Sequence, residues 1–366
     1  MRKMLEIMRP RLAVAALCLC VGYAEAVEFV IDVPAGEVVS NTTSNVSAES
    51  GDAVFVKTGG GDLTVTGDML VREGGSVNGN GKGYAVNSGT GCGVFGAAAS
   101  HGGCGAYYNA PSKHVMGYGS FVNPVTYGSG GYSGAGVGGG IVVLDVAGTL
   151  LDDGTIAANG GQGGEIYSAS GGSVNIKCGV LKGRGSITAH GSYYSTAKYE
   201  YLFGAGGRVS ITQRTGSDFS QFTGLAAAYG GRVYPTVLTY YLPRGNSGHV
   251  TWILPDSKPH IVVDNIGYTH ANCFGVTLPA VNGDSARVVR TYDFELKNGG
   301  RIYLVDDATI YDLSLATANT VIYLNGHTLR ILSHAHKDRA GWKGTVNTDT
   351  GGKIVWVPAG LKVMVR

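Results

Sequence analysis

Apolar residues recur at every second position in short bursts, and pairs of glycines introduce the bursts. One signature, Gly-Gly-x-φ-x-φ with φ apolar, begins at Gly139-Gly140-Ile141-Val142-Val143-Leu144. It returns as Gly171-Gly172-Ser173-Val174-Asn175-Ile176 and Gly206-Gly207-Arg208-Val209-Ser210-Ile211. Ser247-Gly248-His249-Val250-Thr251-Trp252 is a looser copy, and Gly299 to Leu304 and Gly351 to Trp356 add two more. The first φ positions, 142, 174, 209, 250, 302 and 354, are separated by 32, 35, 41, 52 and 52 residues. Alternation at period two after a glycine pair describes a half-buried strand following a tight turn. A second signature follows the first three copies: Gly154 to Gly160, Gly185 to Gly191 and, more weakly, Gly224 to Gly230. A short apolar run, such as Thr149-Leu150 or Val180-Leu181, lies between the two.

Each repeat thus predicts about three short strands with glycine at the corners. One such unit cannot bury its apolar side alone, and stacked units can. The expected fold is all-β: a right-handed parallel β-helix (β-solenoid) with Gly-rich corners, inserted loops on one edge and a β-rich C-terminal region. Val142, Leu144, Val174, Ile176, Val209 and Ile211 should form one internal column, and corner glycines should supply positive φ and close stacking. An antiparallel sandwich of hairpins would explain the alternation but not the paired signatures. Asp52 to Gly81 reads as a first coil. After Val250 glycine thins, and longer strands are expected at Thr309 to Leu315, Thr320 to Leu324 and Thr328 to Leu332. The organisation read from the chain is a leader at 1–26, a glycine-rich solenoid at 27–265 with a long inserted loop at 82–139, and β-rich coils or a cap at 266–366.

Composition sharpens this. Glycine is 61 of 366 residues without a G-x-y period, which excludes collagen, and 44% hydrophobic residues exclude wholesale disorder. Residues 1–26 read as a secretory signal peptide: Arg2, Lys3, Arg9 and Arg11, then an apolar run from Leu12 to Val21, then Ala24-Glu25-Ala26. An uncleaved anchor is the alternative. Beyond the leader, 24 basic and 24 acidic residues balance, so no net field draws the chain to nucleic acid or anionic membrane. No transmembrane segment is expected in the mature chain, which should be secreted or held at the cell surface. Export brings oxidising conditions, and Cys92 and Cys104 are spaced to close a small loop worth up to ~3 kcal/mol. A zinc site with His101 is the competing reading, though no C-x-x-C pair supports it. Cys178 lies at an apolar strand position and reads as a buried thiol.

Four loops leave the repeats after corresponding glycine corners, at 82–139, 162–170, 192–205 and 232–248. They hold 14 of the 21 tyrosines. Stacked coils would set these loops side by side, and tyrosine supplies rigid amphipathic contact area. Tyr193, Tyr194, Tyr240 and Tyr241 are the candidate ring-stacking contacts for a glycan; the alternative is that the rings pack on one another.

Ser100-His101-Gly102-Gly103, Tyr118-Gly119-Ser120, Pro124 and Gly128-Ser129-Gly130-Gly131 precede the first Gly-Gly strand. With the two signatures, this stretch resembles the glycine-rich repeat regions of bacterial secreted and surface proteins of parallel β-helix, adhesin-like type, over residues 74–265. The resemblance implies a pectin lyase-like β-helix at a cell surface, and it carries over no catalytic residues. Cys104 inside the His-Gly-Gly stretch departs from the pattern.

Enzyme motifs are sparse. Asn347-Thr348-Asp349 stands near the C-terminus, after the acidic pairs Asp152-Asp153 and Asp306-Asp307, both of which fall at turns where Asp is an ordinary turn former. His334-Ala335-His336 could put two imidazoles on one strand face with His327 nearby. No catalytic residue, metal or cofactor is assigned. The expected function is a non-catalytic surface module, structural or adhesive, with a polysaccharide or cell-surface glycan as partner. A carbohydrate-active β-helix enzyme of lyase or hydrolase type is the alternative.

Overall fold

Strands form where period-two alternation places them, and nearly all of them pair in parallel. A computed structural model of the chain describes residues 61–107, 116–163, 167–193, 202–232, 245–268 and 274–358, and gives strand pairing alone for 28–31, 40–43, 46–48 and 53–56. The leader, Cys273 and the candidate residues Tyr194, Tyr240 and Tyr241 lie outside the described residues. The protein is all-β with almost no helix: among the described residues one four-residue α-helix, α1 (Ala286–Val289), occurs. No helix there is long and apolar enough to cross a membrane.

One sheet runs in the order β1 (Glu28–Ile31), β4 (Ala53–Val56), β7 (Ser76–Asn78), β9 (Thr155–Ala157), β11 (Ser186–Thr188) and β13 (Leu225–Ala227). The larger sheet runs β2 (Ser40–Thr43), β5 (Gly61–Val65), β8 (Ile141–Asp152), β10 (Ser173–Lys182), β12 (Arg208–Gln213) and β14 (His249–Ile253). It continues through β15 (His260–Asp264), β17 (Asp293–Lys297) and β20 (Asp312–Leu315), while β3 (Val46–Ala48) pairs with β6 (Met69–Val71), which pairs with the second half of β8. Up to β14 the chain visits the two sheets in turn, and both line one apolar core that includes Leu144, Ile176 and Ile211 from the large sheet and Val77, Ile156 and Ile187 from the other. Cys178 is buried in it.

Val142, Val174, Val209 and Val250 are successive register partners, so the first four glycine-pair copies form one column. The second glycine of each copy is required by approach rather than by backbone conformation. A Cβ on Gly172, Gly207 or Gly248 would fall on the carbonyl oxygen of Gly140, Gly172 or Gly207 respectively, and none of these glycines has positive φ. The expectation that these corners need φ > 0 therefore yields to close stacking.

The last two copies do not extend that column. Gly299-Gly300 introduces β18 (Arg301–Leu304), which pairs with β16 (Val276–Leu278) and β21 (Val321–Tyr323), the latter pairing with β23 (Thr345–Asn347). Gly351-Gly352 introduces β24 (Lys353–Trp356), in a separate sheet with β19 (Ala308–Ile310) and β22 (Thr328–Ile331). The run expected as one strand from Thr309 to Leu315 is divided between β19 and β20.

The cause is a reversal. β14 and β15 are antiparallel, Val250 opposite Val262 and Trp252 opposite His260, after which parallel pairing resumes. The hydrogen-bond ladder continues across the reversal, but the buried face changes. The column Leu63, Leu144, Ile176, Ile211, Trp252 continues as His260, Asp293 and Asp312. The neighbouring column, Val143, Asn175, Ser210, Thr251, continues as Ile261, Phe294 and Leu313. Directly paired residues share a face, so a second core, holding Ile261, Val263, Phe294, Leu296 and Leu313, lies on the opposite side of the same sheet from the first.

The polar face over β10, β12 and β14 is covered by residues 117–126 of the long insert. Ser173 Oγ donates to Thr126 O at 2.6 Å, Asn175 Nδ2 to Asn123 Oδ1 at 2.8 Å, Ser210 Oγ to Val122 O at 2.9 Å and Thr251 Oγ1 to Phe121 O at 2.8 Å. Phe121 then enters the second core against Tyr292 and Phe294. Asp284 accepts from Ser120 Oγ and from Phe121 N. Arg208, wholly buried, donates from Nε to Tyr118 O at 2.7 Å and sets its guanidinium 4.9 Å from the Phe121 ring centre. Burial lowers its pKa to about 10, so it remains a cation, and burial together with Arg208 keeps His101 and His249 neutral.

The change of face generates a test on adjacent residues. Ile261→Ala should destabilise by about 2–4 kcal/mol, the range for a buried large-to-small change. Val262→Ala, one residue on and half-buried, should cost under about 1 kcal/mol. Urea titrations of both variants check the order; a larger cost at Val262 than at Ile261 would mean that β15 faces the first core.

Candidate functional site

A side-chain ladder climbs the corner at the end of the second signature. Asn159 N donates to Asn80 Oδ1 at 2.7 Å, His190 N to Asn159 Oδ1 at 2.6 Å, and Tyr229 N to His190 Nδ1 at 3.0 Å. Each pass supplies one rung, and each rung residue precedes a glycine: Gly81, Gly160, Gly191, Gly230. The ladder ends at Tyr229, whose phenol offers no acceptor at the same place. Its ring instead stacks on the His190 imidazole, centres 5.0 Å apart and planes within 3°. That spacing follows from parallel strands ~4.8 Å apart carrying planar side chains at one register position. A flat two-ring platform results at the point where the small sheet ends.

Cavities surround this platform. One of about 280 Å³ is lined by His190, Tyr193, Tyr229, Gly230 and Arg232. A second, of about 220 Å³, runs along β13 to Val250, Trp252, Val262, Asp264 and Lys297, where the first core closes against β15. A third, small one reaches from Tyr229 and Arg232 to Asn265 and Tyr268. Tyr229 borders all three, so its ring is the common wall of this grooved region.

The electrostatics are simple. Burial, aided by the Arg232 charge, lowers the His190 pKa to about 4, so the imidazole is neutral at pH 7. Since Nδ1 accepts from Tyr229 N, its proton sits on Nε2. Burial also raises the Tyr229 phenol, with Asp264 adding to the effect and Arg232 opposing it. The Arg232 guanidinium lies 5.8 Å from the Tyr229 ring centre. Asp264 is committed elsewhere: it accepts from Ile266 N and Asn298 Nδ2 and pairs with Lys297 at 3.9 Å.

Of the sequence-predicted contacts, Tyr193 lies at this groove and is 46% exposed. Tyr194, Tyr240 and Tyr241 fall outside the described residues. Several other loop tyrosines pack on rings: Tyr84 on Tyr127, Tyr132 on Tyr167, and Tyr107 on Phe274. Their loops also bond to one another through the backbone, as Tyr132 N to Tyr167 O and Ser168 N to Leu202 O show. Sequence reasoning missed His190, Tyr229 and Arg232. The available signal was the residue before the last glycine of each second signature, Asn159, His190 and Tyr229.

The other candidates do not converge. Cys92 and Cys104 are thiols and not a cystine in the structure; Cys92 Sγ donates to Gly93 O, and Cys104 is buried where its backbone bonds Gly275 O. His101, the proposed third zinc ligand, bonds Gly171 O and Thr126 Oγ1 instead. His334 bonds Val357 O and His336 bonds Asp312, so the two imidazoles serve separate partners. No cluster of three metal-ligating side chains occurs among the described residues. Asp307 bonds Thr328 N and Arg330 as a turn residue. His260 sits between Asp293 at 3.4 Å and Glu295 at 3.1 Å, and the hydrogen bonds it donates to both raise its pKa to about 9. Asp152 is buried beneath Gly183 and Gly185. Desolvation pushes its pKa up to about 7, against the Gly154 N–H bond and with a smaller contribution from Asp153.

A comparison of the chain with protein-family models, with curated proteins and with solved structures finds no match.

Asp152 gives a pH test. A carboxyl whose folded pKa lies above its unfolded value favours folding in its protonated form, and that contribution is lost as pH rises from about 4 through about 7. Asp152→Asn retains an acceptor for Gly154 N and carries no charge. The variant should melt higher than the parent at pH 8 and close to it at pH 4; melting curves across that range check the sign.

Proposed function

We propose that the chain is a secreted, non-catalytic β-solenoid that acts as a surface-associated adhesion module and holds carbohydrate against the ring platform at Tyr229. What supports the solenoid reading is the alternate visiting of two parallel sheets that share one core, with register kept from pass to pass. On this reading each pass is a coil, right-handed by the general preference of parallel crossovers. The secreted location rests on the leader-like composition of residues 1–26.

One observation carries the functional reading: the parallel His190–Tyr229 pair, bordered by the exposed Tyr193, forms the wall of an open groove. A pyranose ring presents a flat C–H face that suits an aromatic plane. The phenols of Tyr193 and Tyr229 and the His190 Nε2–H are donors or acceptors for hydroxyl groups around the same rings. The small number of polar groups set among aromatic surface is the usual makeup of a small-molecule site.

A second reading, a carbohydrate-active β-helix enzyme, draws on the half-buried row of His260, Asp293 and Glu295. The two readings separate in one assay. Purified protein is titrated against plant, algal and mucin polysaccharides, and the mixtures are checked for new reducing ends and unsaturated products. Binding without products supports the module; products that His260→Gln abolishes support the enzyme.

For the module, Tyr193→Ala should weaken polysaccharide binding about five-fold, the effect of ~1 kcal/mol of ring contact. Its melting temperature should stay within about 1 °C of the parent, because an exposed residue is removed. Affinity electrophoresis beside thermal melting reads both. Unchanged affinity in this variant would remove Tyr193 from the site.

A further inference from the structure

The groove at Tyr229 holds one cation, Arg232, that is without an ion-pair partner among the described residues. Among the described residues no carboxylate pairs with Arg232; its contact is the face of the Tyr229 ring, 5.8 Å away. The nearby acid does not serve it, since Asp264 is held by Lys297, by Asn298 Nδ2 and by Ile266 N. Asn265, at the small end of the groove, is also spent: its Oδ1 accepts from Ser247 N and its Nδ2 donates to Tyr268 O. The groups left for a ligand beside the ring platform are two phenols, one imidazole N–H and a guanidinium. Arg232 is half-buried, so its charge acts through less water than a surface arginine's would. It is felt across the cavity, where it helps keep His190 neutral.

A neutral sugar would leave this guanidinium partly desolvated and without an anion, which is a cost. A sugar carrying a carboxylate removes that cost. The planar fork of arginine matches a carboxylate in a two-bond geometry. On the reading that this groove binds carbohydrate, we infer that its ligand is an acidic polysaccharide, with a uronate carboxylate on Arg232 and the sugar ring against Tyr229 and Tyr193. The balanced charge of the chain beyond its leader agrees with a local device: recognition comes from one placed cation and not from a general field.

The test uses the full mature chain and three probes in calorimetric titrations: alginate oligosaccharides, the same oligosaccharides as their propylene glycol esters, and dextran sulfate. Esterification removes the charge and leaves the ring. The free acid should bind at least ten-fold more tightly than the ester, and raising NaCl from 50 to 500 mM should weaken the acid alone. Arg232→Gln should lose about ten-fold toward the acid and nothing toward the ester. Arg184→Gln, which removes an exposed arginine paired with Glu73, should bind like the parent and so controls for loss of charge in general. Equal binding of acid and ester, unaltered by Arg232→Gln, would overturn the acidic-ligand assignment while leaving the carbohydrate reading in place. Dextran sulfate binding more tightly than the free acid, with the same loss in Arg232→Gln, would overturn the carboxylate in favour of a sulfate ester. Binding of none of the three probes, nor of neutral polysaccharides, would overturn both readings together.

Discussion

The ladder of the large sheet runs unbroken from β2 to β20, while the side of that sheet that carries the core changes between β14 and β15. This is the constraint the molecule is built around. A sheet buried on one face before the reversal and on the other after it leaves two polar surfaces to manage. Before the reversal, the surface of Asn175, Ser210 and Thr251 is roofed by residues 117–126, whose carbonyls and side chains accept its donors. After it, His260, Asp293 and Asp312 stand where Ile211 and Trp252 would have led; His260 pairs with Asp293, and Asp312 bonds His336 through one oxygen while its other oxygen is buried without a partner. Phe121 joins the two regimes: its carbonyl bonds β14 and its ring lies in the second core.

The groove follows from the same reversal. Because β14 turns back into β15, the small sheet gains no strand after β13 among the described residues, and the first core closes against the polar side of β15 near Val262 and Asp264. The Asn80–Asn159–His190–Tyr229 ladder reaches its last rung there. In the earlier passes an amide or imidazole is covered by the backbone of the next pass. At the last rung the ring of Tyr229 borders the cavity, with Arg232 beside it. The platform is thus an end effect of stacking, and the residues that build it repeat a structural position.

Much of the first half was legible because glycine pairs mark the register. Val142, Val174, Val209 and Val250 align because each follows a glycine that no other residue could replace without striking the previous pass. The second half was not legible in that way. Alternation at period two is the same whichever face is buried, so Ile261-Val262-Val263 gives no sign that the inward positions have exchanged. Gly299-Gly300 and Gly351-Gly352 look like further copies, yet β18 and β24 belong to different sheets, since equal local pattern does not fix which sheet a strand joins. At the site, counting tyrosines in loops found Tyr193 but weighted rings that pack on one another, such as Tyr132 and Tyr167. Tyr229 sits at the end of a repeated signature and not in a loop, so the count passed over it.

The central claim is that one strap, residues 117–126, holds both halves to a single sheet through Phe121. Hydrogen exchange with mass analysis on Phe121→Ala tests it most directly. Truncating this ring removes a contact of the second core with Phe294 and Tyr292 and loosens the roof over β12 and β14. The structure predicts faster exchange in peptides from both sides of the reversal, 208–213 and 249–253 on one side and 293–297 and 312–315 on the other. Faster exchange confined to 117–126, with both sets of strands as protected as in the parent, would contradict it.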